Sequence, residues 1–406
     1  MNRSIIVDIK HKTWPRKGSQ PSFPSNFHKG SASDIISIPS MLLMIGYLTT
    51  PVSSAGVSLS EFWAWVRYLA AVTPDADLRL TKGFSNLDAH QKTILSDDFG
   101  MGVPMLWLNR KLGFDRICDG RYFVQRVAAT VGATAVKVAK KGSFKTPDFV
   151  ARDTSGVWHI IECKGTQSGH DYSTRQIGER RPFAWGGAAQ KMSIKFPRNH
   201  TGQRLVCGLS IGPHSGSFGT RLTIVDPEPD DPFKVRPRDI RLAEDAAERG
   251  VLAKALRLSG FLATAEAMAA PWGASPFDLP RATRVAENRR QEFIADRDAT
   301  ARAELESVGA LDTVFSEGLQ FRGRELALTL PRPIEIGGKM IRKAYIRQGV
   351  NADVLEAMRE RPTVEEPLAD VAGGWRSALG RTMVEADELS AEMDFGTVFR
   401  SRIDLA

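Results

Sequence analysis

The chain is poor in cysteine: Cys118, Cys163 and Cys207 are the only three in 406 residues. They form no Cys-x-x-Cys pair and no evenly spaced set, which excludes a disulfide framework and a cysteine-based zinc ribbon. A reducing, cytoplasmic compartment is the simplest expectation. The histidines are equally unpatterned. There is no His-Glu-x-x-His, and His159, His170, His200 and His214 make no zinc signature. No nucleophile-elbow sequence is present. Gly100-Met101-Gly102 is not followed by Lys-Ser/Thr and so is not a phosphate loop. Asp98-Phe99-Gly100 matches a kinase metal triplet, but no catalytic-loop His-Arg-Asp accompanies it.

Long hydrophobic runs are also missing. Residues 35–60 carry no charge, but Pro39, Gly46, Pro51 and Gly56 interrupt them. The strongly apolar part, Ile38 to Leu48, is too short to span a bilayer. It also lies too far from Met1 to be the core of a signal peptide. No membrane partner is expected. No repeat of known period is found.

What is present is basic and large enough for real cores. Net charge is +8 and 42% of residues are hydrophobic, which favours anionic partners without choosing among them. Residues 1–29 read as a flexible arm, and 30–112 as a mainly helical region in which Ser60 is an N-cap candidate. Leu87 to Gly102 reads as a structured connector in which two adjacent acids, Asp97 and Asp98, could approach a site. After Asp226-Pro227-Glu228-Pro229-Asp230-Asp231-Pro232, a Pro/Asp boundary, residues 233–406 read as a mainly helical domain, with Leu326 to Ile341 more strand-like.

The informative segment lies between. Asp153-Thr154-Ser155-Gly156 is a turn sequence. Asp148 to Arg152 precedes it, and Val157 to Lys164, rich in β-branched and aromatic residues, follows; together they read as a hairpin. With a period of two, Trp158, Ile160, Glu162 and Lys164 share one face, and Val157, His159, Ile161 and Cys163 share the other. A two-residue loop centred on Thr154-Ser155 would put Asp148 on the wrong face. A shared site therefore requires an odd loop, with a bulge near Gly156. Two carboxylates are hard oxygen donors for Mg2+ or Mn2+, and a lysine beside them can stabilise charge on a phosphate. The alternative is an exposed hairpin with a solvated Glu/Lys pair.

Pro147-Asp148 followed by Glu162-Cys163-Lys164-Gly165 resembles the PD-(D/E)XK nuclease superfamily, over about Gly113 to Val225. The resemblance implies an α/β fold with a restriction-endonuclease-like αβββαβ core at 113–226, carrying mostly helical N- and C-terminal extensions. It implies Asp148 and Glu162 as side-chain metal ligands, the Cys163 backbone carbonyl as a third ligand, Lys164 as the catalytic lysine, and Mg2+ (or Mn2+) as cofactor. The expected core begins with a helix over Gly120–Gly132 and a strand over Ala133–Ala139. It continues with the hairpin, a helix over Arg181–Lys195, and strands at Arg204–Ile211 and Thr220–Val225. Some members carry another acid on the first helix; Gln125 stands there instead. Others place Gln-x-x-x-Tyr on the second helix, but Gln190 is followed by Ile194.

Charge around the hairpin is lopsided. Eight Lys/Arg stand against two acids from Lys111 to Lys145, and seven against Glu179 alone from Tyr172 to Arg204. Lys140, Lys141, Lys145, Arg175, Arg180, Arg181, Lys191 and Lys195 are the candidate phosphate contacts. Tyr172, Phe183 and Trp185 could stack bases in an opened strand or pack the interior. The expected activity is Mg2+-dependent hydrolysis of DNA phosphodiester bonds, with RNA the less expected substrate. By resemblance the role is that of a restriction or anti-phage defence endonuclease. The alternatives are a repair or recombination nuclease, and a non-catalytic nucleic-acid-binding or assembly protein that keeps the fold. A separate ATPase or sensor protein and a homo-oligomer stay open as partners.

Overall fold

The computed structural model describes residues 1–15, 21–53, 66–130, 146–181, 184–185, 194–227, 233–269, 284–307, 312–316, 318–361, 367–370 and 374–406. The molecule is α/β, with two large sheets and helices between and around them.

The first sheet has seven strands. In chain order they are β1 (Asn2–Ile9), β2 (Gly30–Ser37), β3 (Phe114–Asp119), β4 (Phe149–Asp153), β5 (Trp158–Thr166), β6 (Thr201–Ser210) and β7 (Arg221–Val225). Their order across the sheet is β2-β1-β7-β6-β5-β4-β3. β3, β4 and β5 form an antiparallel meander, and β5 and β6 run parallel. The helices that matter here are α1 (Ile38–Thr49), α2 (Ala89–Leu112), α3 (Gly120–Thr130), α4 (His170–Gln176) and α5 (Ile240–Ser259).

α2 begins where Asp88 Oδ1 accepts the His90 and Gln91 amides, an N-cap. It ends at Gly113, whose φ of +68° a β-carbon would oppose. It then lies along β5 on the face where Phe149, Ala151, Ile161, Cys163, Leu205, Cys207, Leu209, Leu222 and Ile224 join one buried cluster with Phe99, Val103 and Leu106. α1 is an almost wholly buried apolar helix in the same cluster, begun by the Ser37 hydroxyl, which accepts the Ser40 amide.

Several expectations are corrected. Residues 2–9 are no flexible arm: β1 is an interior strand, parallel to β7 and antiparallel to β2. Its Ile5, Val7 and Ile9 alternate into the core, a period that the surrounding polar and basic residues obscure. Leu87 to Gly102 is mostly the first half of a 24-residue helix rather than a connector. In chain order the described elements here run α2, β3, α3, β4, β5, α4 and, after three short strands, β6. The helix expected from Gly120 is present as α3, which follows β3 directly and precedes β4. The strand expected at 133–139 lies outside the described residues. Of the helix expected over 181–195, the described ends are short strands, Glu179–Arg181, Ala184–Trp185 and Ile194–Lys195. Among the described residues the helix between β5 and β6 is α4; residues 186–193 of the expected helix lie outside the described residues.

The C-terminal part is not mainly helical. It carries a six-stranded antiparallel sheet. Its strands are β8 (Asp312–Phe315), β9 (Phe321–Ile336), β10 (Lys339–Asn351), β11 (Thr382–Ala386), β12 (Ser390–Phe395) and β13 (Phe399–Leu405). Nor does Asp226–Pro232 separate two cores. Every residue of α5 from Asp245 to Ser259 is buried, and Val251, Leu252, Ala253, Ala255 and Leu256 belong to the same cluster as the seven-stranded sheet. The Ala-rich composition of α5 reads as a local helix and hides that it is covered on all sides. Among the described residues no helix is long and apolar enough to cross a membrane.

Candidate active site

The turn between β4 and β5 sets the face of each side chain. Phe149 pairs with Ile161 and Arg152 with Trp158. The Asp153 amide donates to the Val157 carbonyl, leaving Thr154, Ser155 and Gly156 as a three-residue loop. Asp153 Oδ1 accepts the Ser155 and Val157 amides at 2.8 and 3.0 Å, and Gly156 takes φ +79°. The loop is odd, and continuing the register by one residue places Asp148 opposite Glu162 on the same face.

Asp148 is held at both ends. Its carbonyl accepts the Gly120 amide at 2.9 Å. The approach needs glycine, because a Cβ on Gly120 would lie 2.0 Å from the Pro147 oxygen. Its Oδ2 accepts the Cys163 amide at 2.7 Å. Lys164 donates to Glu162 Oε1 and lies 3.9 Å from Asp148 Oδ2. Asp148, Glu162 and Lys164 thus converge. The Cys163 side chain is buried on the opposite face, in register with Cys207, so only its backbone can serve the site. On the site face, Trp158 and Ile160 are covered by Phe123, Val127 and Phe196. Further along, Ser173 and Ile177 cover Gly208 so closely that a Cβ there would lie 2.7 Å from each. The carboxylates sit in the gap between these two coverings.

The electrostatics follow from that position. Burial pushes the Glu162 carboxyl up to about 7, and the Asp148 charge adds to the rise against the pull of Lys164. Burial also raises Asp148, against Lys164 and the Cys163 amide. For Lys164 burial acts downward, but Asp148 and Glu162 outweigh it and the ammonium is held more firmly. Glu162 Oε2 is buried and has no hydrogen-bond partner among the described residues. Two carboxylates held against their own desolvation, one with an orphan oxygen, fit a divalent cation. Among the described residues no group of three or more His, Cys, Asp and Glu is gathered as a metal cage; the set here is two carboxylates and a backbone carbonyl.

A third acid was legible only as a possibility. Asp97, on α2, is raised because its carboxyl is partly desolvated; Lys164 opposes the rise and Asp148 adds to it. Its charge is therefore felt at the site, from the helix that packs along β5. Gln125 lies on α3. Next to Asp97, the Ser96 hydroxyl accepts from Gln167 Nε2 at 3.4 Å. The signal that points to Asp97 is the glycine pair Gly100 and Gly165, which lets α2 approach β5.

The basic candidates divide. Arg175 and Lys195 are exposed. Arg180 and Arg181 lie in the short strand Glu179–Arg181. Lys140, Lys141, Lys145 and Lys191 lie outside the described residues. Trp185 lies in the short strand Ala184–Trp185, Phe183 is outside the described residues, and Tyr172 is exposed on α4.

No protein-family model matches the chain, and no curated protein and no solved structure matches it.

Proposed function

We propose that this chain is a metal-dependent nuclease that hydrolyses phosphodiester bonds, with DNA as substrate. The observation that carries the proposal is the convergence of Asp148, Glu162 and Lys164 on one face, with a buried Glu162 oxygen left unpartnered. The antiparallel meander β3-β4-β5, followed by α4 and the parallel strand β6, supports a restriction-endonuclease-like core around it.

Asp148, Glu162 and the Cys163 carbonyl would hold Mg2+ or Mn2+, with Asp97 acting on them through its charge from α2. Such an ion polarises a phosphate and lowers the pKa of a bound water. Lys164 places a fixed ammonium where charge develops on a phosphate oxygen, and the two flanking carboxylates keep it protonated. The Cys163 amide fixes the orientation of Asp148, so the carboxylates need little rearrangement to bind.

The test is incubation of wild type and Glu162→Ala with supercoiled, linear and single-stranded DNA in Mg2+, Mn2+ or EDTA. Metal-dependent cleavage by wild type alone is the expected result. Equal cleavage by both proteins would remove Glu162 from the chemistry, and no cleavage by wild type in either metal would remove the nuclease assignment.

A further inference from the structure

α4 crosses from β5 to β6, two parallel strands, and so runs along the site face between them. Ser173 and Ile177 point down onto Gly208, and Gly208 is in register with Lys164. Ser173 therefore stands level with the lysine. His170 turns to the flank of β7 and β1, where Arg221, Lys10 and Asp8 are among its charged neighbours. At 100° per residue, Tyr172 and Gln176 fall on the other flank. That flank overlooks β5, and Tyr172 is one residue from the level of Lys164.

Tyr172 is 43% exposed, a large aromatic outside the core. The Arg175 guanidinium sits over its ring, 5.8 Å from the centroid, and Arg175 Nε donates to the Asp171 carbonyl at 3.3 Å. A cation on one face orders the ring and leaves the other face for a planar ligand. On the same flank, Gln176 Oε1 is buried with no hydrogen-bond partner among the described residues.

We propose that Tyr172 and Arg175 form a platform that stacks an unpaired base and holds its flanking phosphate beside Asp148, Glu162 and Lys164. The preferred substrate is then DNA that is single-stranded or opened next to the cut, rather than continuous duplex. In duplex the bases stack on each other and offer no free face, whereas a single strand gives every base a face for an aromatic ring. The inference deepens the nuclease assignment and relies on it for the location of the scissile phosphate.

The test uses the full chain carrying Glu162→Ala, so that binding is read without cleavage. The probes are a short single strand containing 2-aminopurine and the same sequence as duplex. Adding Tyr172→Ala is expected to abolish the fluorescence quench and weaken single-strand binding about tenfold, the scale of one lost base–aromatic stack. Duplex binding should change little, and Tyr172→Phe should restore both signals. Arg175→Ala should lower the slope of log affinity against log salt by about one contact. Unchanged single-strand binding by folded Tyr172→Ala, or equal losses on single strand and duplex, would overturn the platform. If wild type cleaves nothing while the quench persists, the platform stands and the nuclease assignment fails.

Discussion

Gly165 on β5 and Ser96 on α2 meet backbone to backbone: a Cβ on Gly165 would lie 1.7 Å from the Ser96 carbonyl oxygen. One helical turn on, a Cβ on Gly100 would lie 2.6 Å from the Gly165 Cα. Neither obstacle is a side chain that can swing away. Gly165→Ala should therefore push α2 off the sheet and cost about 1–3 kcal/mol or more, the range for overpacking. Urea unfolding of the variant checks this, and a wild-type midpoint would contradict it. Gly156→Ala meets no atom within 4 Å; its cost comes only from its positive φ and should be smaller.

The same contact brings Asp97 to the site. Because burial penalises the Asp97 charge, Asp97→Asn should not lower the unfolding midpoint at neutral pH, while cleavage falls by roughly 10- to 100-fold, as for a group that tunes a metal site. Parallel melting curves and single-turnover rates decide it. Full activity in Asp97→Asn would make the carboxyl a bystander to Lys164.

The local chemistry was easier to read than the architecture, and the reason is physical. The hairpin is specified by neighbours: Asp153 and Gly156 make the loop, and its odd length puts Asp148 and Glu162 on one face by the strand period. β1 was missed because an interior strand is recognised by what flanks it, and β2 and β7 lie far away in sequence. Of the C-terminal sheet, only the strand character of Leu326 to Ile341, in β9 and the start of β10, is legible; the rest is hidden for a related reason. Its outer face carries ion pairs, Arg347 with Glu325 and Asp404, and Arg400 with Glu392 and Asp394, and their charges mask strand alternation in β9, β10, β12 and β13. Asp97 lay in view, but its role depends on where α2 packs.

The raised carboxyls give a pH dependence of fixed sign. The Glu162 carboxyl rises from 4.5 to about 7 on folding, because burial, reinforced by Asp148, penalises its charge. A raised carboxyl contributes stability that is full below the unfolded value and is lost as pH rises through the folded one. The metal-free protein should therefore lose stability between about pH 4.5 and 7, by on the order of 2–3 kcal/mol from this group. Glu162→Gln should flatten that slope, and Mg2+ should restore stability at neutral pH by binding the charged pair. Melting temperatures across this range, with EDTA and with Mg2+, provide the check. A wild-type stability that climbs over the same interval, unaltered in Glu162→Gln, would contradict the assignment of the cost to this site.

Lys254 ties the two halves of the chain together. It is fully buried on α5, its Nζ donating to the Tyr47 and Leu48 carbonyls at 3.3 and 3.2 Å and pairing with Asp119. The Tyr47 and Leu48 carbonyls lie in the last turn of α1, where a helix lacks internal donors and a cation is favoured. The Tyr47 ring lies 5.0 Å beneath the ammonium, and the Tyr47 hydroxyl donates to the Ile117 carbonyl on β3. Lys254→Met keeps much of the volume but leaves Asp119 and these carbonyls without their partner. Breaking a buried pair from one side costs about 3–5 kcal/mol, so the variant should unfold at clearly lower urea. A chain ended after Pro232 loses Lys254 together with the rest of α5, and uncovers the packing against β3. It should show no cooperative thermal transition, although it retains Asp148, Glu162 and Lys164. A sharp transition from that fragment, with metal-dependent cleavage intact, would mean that residues 1–232 fold without α5 and that the shared core is dispensable.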